Sequence, residues 1–88
     1  MDHCSDDINF VKKILEGKTE NFTGLVKMYE DRVYGTCLKF VRNREDALDL
    51  SQETFLRIYN NLDTYKGKSS LSTWIYRICV NTCLNFLL

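Results

Sequence analysis

The sequence predicts an all-α protein, a compact bundle of about four helices. Three observations indicate this: proline is absent, glycine occupies only four of the 88 positions, and apolar residues recur at three- and four-residue spacing along the chain. A chain of this length accommodates one small domain. We therefore expect a single domain over residues 1–88, without strands.

The first two helices are expected within residues 1–18 and 19–41. Ser5 is a candidate N-cap for a first helix that runs from about Asp6 to Glu16, and Gly17 is its expected stop. The apolar stripe of this helix comprises Ile8, Val11, Ile14 and Leu15. The long second helix carries the apolar face formed by Phe22, Leu25, Val26, Tyr29, Val33, Cys37 and Phe40.

The third helix is expected over residues 43–61, where Asn43 can act as N-cap and Asp46 takes the place of a capping-box acid. Its apolar stripe opens with Ala47 and Leu48, and its core side comprises Ala47, Ser51, Thr54, Phe55, Ile58 and Leu62. Helical geometry then leaves one outward stripe, which comprises Asp49, Gln52, Glu53, Leu56 and Asn60.

Residues 62–70 are rich in turn-forming residues and predict a loop, after which Ser69 or Ser70 caps a last helix over 71–88. The broad apolar face of this helix comprises Trp74, Ile75, Ile78, Cys79, Cys83, Phe86 and Leu87. On another side, a polar row at four-residue spacing comprises Thr73, Arg77 and Asn81.

Charge is balanced overall but segregated along the chain. Twelve basic and twelve acidic residues cancel, so nucleic-acid affinity cannot come from net charge. Residues 45–53 carry four acids and no base, whereas residues 66–88 carry three bases and no acid. Two surfaces of different character, suited to two different partners, follow from this segregation.

The outward stripe of the third helix has two interpretations. An exposed leucine among acids and amides is typical of a protein-docking patch. The alternative is an ordinary solvated helix face with one stray leucine, since single exposed apolar residues are common.

The loop and the start of the last helix combine an aromatic ring, cations and small hydroxyls. These residues are Tyr65, Lys66, Lys68, Ser69, Ser70 and Ser72. Such a mixture suits a splayed single strand, because bases stack on rings while cations and hydroxyls meet phosphates. Arg77 can likewise meet phosphate, and Asn81 can read a base edge. The alternative is that Trp74 belongs to the core and the bases only keep the surface soluble.

The remaining composition favours no chemistry of its own. The four cysteines form no CxxC pair, so buried thiols are expected and no metal or other cofactor. A lone His3 with no convergent acid–base set does not predict an enzyme. The chain has no signal-peptide pattern and no apolar run of about 20 residues, so we expect a cytoplasmic protein without membrane insertion.

Residues 44–81 resemble region 2 of the primary sigma family, and within it the small extracytoplasmic-function (ECF) subgroup. The residues that carry the resemblance are Asp46, Ala47, Asp49, Leu50, Gln52, Glu53, Phe55, Gly67, Ser69, residues 73–78 and Asn81. The preceding helix resembles the family as well through Phe22, Leu25, Tyr29 and Val33. The similarity extends over roughly residues 20–86.

The resemblance implies a transcription initiation factor domain. It implies docking on the clamp helices of the largest core RNA polymerase subunit, through Asp49, Gln52, Glu53, Leu56 and Asn60. It also implies capture of unpaired bases of the −10 promoter element on the non-template strand, and Asn81 matches a family position near the pocket for a flipped base. The DNA-binding set comprises Asn61, Tyr65, Lys66, Lys68, Ser69, Ser70, Ser72, Thr73, Trp74, Arg77 and Asn81.

The resemblance also implies an anti-sigma factor as a further partner, which would cover the docking stripe. The family normally continues into a second helical domain, region 4, and we expect this chain to lack it. The alternative function is a regulatory interaction module, a decoy or an anti-sigma-binding domain that does not melt promoters.

Overall fold

The computed structural model describes residues 3–17 and 19–88. In chain order the elements are α1 (His3–Leu15), α2 (Thr19–Val41), α3 (Arg44–Asn61), a short 3-10 helix (Leu62–Thr64) and α4 (Leu71–Leu87). The described residues contain no strand, which confirms the predicted all-α bundle. Within this part of the chain no helix combines the length and apolar character needed to cross a bilayer.

Helix α1 begins earlier than the sequence predicts. Because it begins at His3, Ser5 lies inside the helix, and the prediction that Ser5 is the N-cap is wrong. The helix ends at Leu15, and Gly17 follows with a φ of 97°, a left-handed conformation that glycine adopts without strain. Leu15 is 49% exposed and does not belong to the core, because it lies about 100° around the helix from the buried Ile14.

One hydrophobic core includes residues of all four α-helices: Val11 and Ile14 come from α1, and most of the rest lies where α2 packs against α3 and α4. The core positions recur every three or four residues on each helix, as expected for faces that meet at helix–helix contacts. The buried apolar residues of α2, α3 and α4 are Leu25, Tyr29, Val33, Cys37, Ala47, Leu50, Ile58, Leu71, Ile75, Cys79 and Cys83.

The start of α3 is set by its cap. Asn43 has an extended backbone, and its side-chain oxygen accepts the N–H of Asp46 at 2.9 Å, as the sequence predicts. The predicted core side is correct for Ala47, Ser51, Thr54, Ile58 and Leu62, which are all buried, but the prediction that Leu48 belongs to the apolar stripe is wrong. Leu48 is 53% exposed, whereas Leu50 is buried because it lies one turn beyond Ala47 on the core side.

Ser70, rather than Ser69, caps α4. The Ser70 hydroxyl oxygen accepts the N–H of Thr73 at 3.1 Å. At the other end the predicted apolar face is too long: Phe86 and Leu87 are each 52% exposed, because residues 84–88 all lie outside the packed core. The last turn buried by packing ends near Cys83.

Candidate functional site

The outward stripe of α3 is solvent-exposed along its whole length. All five of its residues are exposed, and Leu56 is 59% exposed; the five are Asp49, Gln52, Glu53, Leu56 and Asn60. They share one face because α3 is regular from its cap at Asn43 to Asn61. The structure therefore brings the predicted docking residues together on an open helix face.

Beside this stripe lies an apolar groove between α2 and α3, with a cavity volume of about 490 Å³. It is lined by Val26, Glu30, Leu48, Ser51, Gln52, Phe55 and Leu56. Leu48 contributes here because it is exposed, eight residues and about two turns before Leu56. Residue spacing predicts a core position for Leu48. The sequence therefore indicates one exposed leucine, Leu56, at the outward side of α3, whereas the structure has two.

Glu53 also has a partner on its own helix. Glu53 accepts the Nε–H of Arg57 at 3.0 Å, in an ion pair whose side chains are 47% and 40% exposed respectively. Exposed pairs of this kind stabilise a helix by only about 0.5 kcal/mol or less, so Glu53 can be recruited by another cation at little cost. Asn60 lies apart from the groove, in a cleft against Leu15 and Gly17 at the end of α1.

Tyr65 differs most from its predicted role. The sequence suggests an exposed aromatic platform, but the side chain is only 7% exposed, its hydroxyl donates to the Ser69 carbonyl at 2.7 Å, and its ring meets Trp74 edge to face at 5.4 Å. Burial, reinforced by the nearby Asp7, raises the pKa of Tyr65 to about 12. Tyr65 is therefore a buried residue of the loop and not the exposed platform that the sequence suggests.

The loop and α4 together enclose a cleft of about 260 Å³. It is lined by Thr64, Tyr65, Lys66, Lys68, Ser69, Trp74 and Arg77. Two lysines from the loop and one arginine from α4 thus meet around a half-buried indole, although they are up to eleven residues apart in sequence. This is the set of groups that phosphates and unstacked bases require.

Several predicted hydroxyl contacts are engaged within the protein. Ser70 caps α4, and its hydroxyl also donates to the Thr73 hydroxyl at 3.0 Å. Ser72 accepts from Arg32 Nη1 at 3.0 Å, and the same guanidinium lies 5.4 Å above the Tyr29 ring. Arg32 was missed by sequence reasoning, because no local pattern shows that this residue of α2 reaches α4.

Helix α1 supports the same loop from the other side. An Asp7 carboxylate oxygen accepts the N–H of Leu71, the first residue of α4, at 2.8 Å. An acid at this position satisfies a free helix N–H and favours the positive end of the helix dipole. Sequence alone predicts for Asp7 only a place near the start of its own helix.

Asn81 lies in a second cleft, of about 340 Å³, rather than in the cleft under the loop. Its lining residues are Phe40, Tyr76, Arg77, Val80 and Asn81. Arg77 lines both clefts and so connects them along α4. Asn61 stands apart from both clefts, at the end of α3, where its side-chain amide donates to the Arg57 carbonyl at 2.8 Å.

The Sigma-70 region 2 family matches residues 25–88. Among curated proteins, the ECF RNA polymerase sigma-E factor of Haemophilus influenzae is 36% identical over 81 residues, which are 92% of this chain and 42% of that protein. The ECF RNA polymerase sigma factor SigW of Bacillus subtilis is 33% identical over 75 residues, 85% of this chain and 40% of that protein. The chain thus spans about two fifths of the length of these relatives.

A solved structure has the same fold. It is the NMR structure of an engineered region 2 of sigmaE in complex with GTAAAA, with a TM-score of 0.81 and 35% identity, covering 89% of this chain and 81% of that one. The helical bundle, the order of its elements and the sequence matches agree with the resemblance inferred from residues 44–81. The chain belongs to the Sigma-70 region 2 family and is of the ECF sigma type.

Proposed function

We propose that this domain docks on core RNA polymerase and helps to melt promoters by capturing unpaired bases of the −10 element. The observation that carries the proposal is the cleft under the loop, where Lys66, Lys68 and Arg77 surround Trp74. The solved relative in complex with GTAAAA supports the nucleic-acid assignment, since its fold and a third of its sequence are shared.

For polymerase docking we propose the α3 stripe together with the groove beside it. Asp49, Gln52 and Glu53 supply charge and hydrogen bonds, and Leu56 with Leu48 supplies apolar contact next to them. Charge complementarity at such a surface sets orientation and association rate more than affinity. The partner surface is proposed to be the clamp helices of the largest polymerase subunit, and an anti-sigma factor would compete for the same stripe.

For promoter opening we propose a shift of equilibrium. Unpairing and unstacking a base cost a few kcal/mol, and a cleft that binds only the extruded form offsets that cost. Arg77 is suited to hold the strand between the two clefts, with Lys66 and Lys68 on phosphates and Asn81 on a base edge. This mechanism makes and breaks no covalent bond, so the proposed role is that of a binding factor and not of an enzyme. The proposed location is the cytoplasm, where core RNA polymerase and promoter DNA are found.

The proposed docking surface on α3 is tested by co-purification of the domain with core RNA polymerase. We expect the Gln52→Ala, Glu53→Arg double variant to lose binding while it stays folded by circular dichroism. The matched control is Asp31→Arg, which makes the same charge change at an exposed position of α2 outside the groove. Equal binding by the double variant and the control would contradict the proposed docking surface.

The proposed capture of promoter DNA is tested on the complex of this domain with polymerase. Binding of a labelled non-template single strand, and of the corresponding duplex, is measured by fluorescence anisotropy. We expect Lys66→Ala, Arg77→Ala and Asn81→Ala to weaken single-strand capture with polymerase binding retained. Lys39→Ala, an exposed cation on α2 outside both clefts, is the charge-matched control. Removal of one cation that binds a phosphate should reduce the slope of log affinity against log salt by about 0.7.

The same experiment distinguishes the proposed function from the alternative, a regulatory interaction module. A decoy or anti-sigma-binding module would dock through α3 and show no change in DNA capture for any of the three variants.

A further inference from the structure

Three of the four cysteines meet in the core between α2 and α4. Cys37, Cys79 and Cys83 are 0%, 1% and 0% exposed, and their Sγ atoms all lie within 4.8 Å of one another. The Sγ atoms of Cys37 and Cys79 are 3.6 Å apart. Cys79 and Cys83 are one turn apart on α4, so both face the single cysteine of α2.

The spacing suits a three-thiol ligand set. A three-coordinate pyramidal centre, with bonds of about 2.3 Å to sulfur and S–X–S angles of about 100°, places its sulfurs roughly 3.5 Å apart. The 3.6 Å pair already has about this separation, and the third sulfur, which lies within 4.8 Å of the other two, needs to approach by little more than an ångström.

The surroundings determine which central atom fits. All three thiols are 1% exposed or less, so water cannot solvate a net charge at the site. The Thr54 hydroxyl is a further polar group beside Cys37 and Cys79, and it already donates to the Leu50 carbonyl at 2.7 Å. A neutral complex is therefore strongly favoured over a charged one here.

Charge counting separates the candidate ions. Three thiolates around a monovalent ion carry a net charge of minus two, and around a divalent ion minus one, whereas around a trivalent centre the charge cancels. A structural zinc site also requires a fourth ligand, and the cluster supplies three thiols. Soft thiolate ligands suit a thiophilic centre, and three of them both neutralise a trivalent one and supply the three bonds that it makes.

We propose that Cys37, Cys79 and Cys83 form a binding site for a trivalent thiophilic centre of the arsenite type. Arsenous acid, As(OH)3, is itself neutral, and three thiols displace its three hydroxyl groups. Three As–S bonds form, three As–O and three S–H bonds break, and each thiol proton leaves with a hydroxyl as water. Arsenic stays trivalent, so the step needs no oxidant or reductant.

A narrow cleft leads towards the cluster. It has a volume of about 80 Å³, lies between α2 and α4, and reaches Cys79 past Tyr29, Arg32 and Ser72. Because the ligands come from both helices, the bound centre would tie α2 to α4 across the core. A ligand that binds the folded state in preference to the unfolded state raises its stability.

The test uses the full chain, reduced, with sodium arsenite as the probe. Intact mass spectrometry should show one adduct with the mass of one arsenic atom less three hydrogens, and the melting temperature should rise. Cys37→Ala, Cys79→Ala and Cys83→Ala, each checked for folding by circular dichroism, should each lose this adduct. Cys4→Ala, which alters the cysteine of α1 outside the cluster, should keep it.

Three results would overturn the proposal. One is an adduct that retains a hydroxyl, which would mean that only two thiols bind. Another is a fall or no change in melting temperature, which would mean that arsenite binds the unfolded chain as well. The third is persistence of the three-thiol adduct in a folded variant that lacks one of the three cysteines.

Discussion

Gly67 ties the loop to α1, and its replacement should be costly for two separable reasons. Its φ is 78°, a left-handed conformation that costs an L-residue roughly 1–2 kcal/mol. A Cβ at this position would also lie 2.5 Å from Ile8 Cδ1 and 2.8 Å from Ile8 Cγ1. We expect Gly67→Ala to lower the free energy of unfolding by about 2 kcal/mol, since the Ile8 side chain relieves part of the overlap by rotating.

A double-mutant cycle in urea separates the two contributions. In an Ile8→Ala background the overlap is gone and only the backbone cost of about 1 kcal/mol remains, so the coupling energy should be about 1 kcal/mol. Gly24→Ala is the matched control: Gly24 lies within α2, a Cβ there meets nothing within 4 Å, and the change should stabilise the domain by about 0.5–1 kcal/mol.

The cycle refutes the reasoning if the cost of Gly67→Ala is equal in both backgrounds to within about 0.5 kcal/mol, because α1 would then not pack against the loop. A Gly67→Ala variant as stable as the parent would refute the left-handed backbone as well.

Three further predictions concern local interactions. Asn43→Ala should lower the free energy of unfolding by about 1 kcal/mol in urea, because the Asp46 N–H loses its acceptor, whereas Asn43→Asp should keep most of it. Tyr65→Phe should cost about 1 kcal/mol at neutral pH through loss of the hydroxyl's hydrogen bond. The pKa of Tyr65 is raised from 10.0 to about 12, so the contribution of its neutral hydroxyl to the free energy of unfolding is present below pH 10 and is lost as the pH rises to about 12. The phenylalanine variant should not show this loss of stability at alkaline pH. An equal loss in both proteins would contradict the view that Tyr65 causes it. Arg57→Ala should change stability by no more than about 0.5 kcal/mol and leave polymerase co-purification intact; weaker co-purification would mean that Arg57 is itself a docking contact, beyond its pair with Glu53.

The features predicted correctly from sequence are local ones. The Asn43 cap, the end of α1 before Gly17 and the exposed face of α3 each depend on residues within a few positions of one another. Helix period and cap chemistry act over that range, so a pattern in the chain is enough to recognise them. The family resemblance is of the same kind, since it depends on residues in a continuous stretch of the chain.

The errors at helix ends have a related cause. The sequence predicts that Leu15, Leu48 and Phe86 all lie on apolar stripes, yet they are 49%, 53% and 52% exposed. Leu15 and Leu48 lie about 100° around their helices from the buried Ile14 and Ala47, and Phe86 lies beyond the last buried turn of α4. Spacing gives the direction of an apolar stripe, but only the neighbouring helices decide how wide and how long the buried part is.

What the sequence by itself determined is the helical bundle, its family and the two faces of opposite charge. Only the tertiary structure decided that Tyr65 is buried, and that Arg32 meets Ser72, Asp7 meets Leu71 and Cys37 meets Cys79. These last three pairs are 40, 64 and 42 residues apart in the chain. Contacts between such distant residues depend on how whole helices pack, and nothing in the local spacing of residues specifies which side chains that packing brings together.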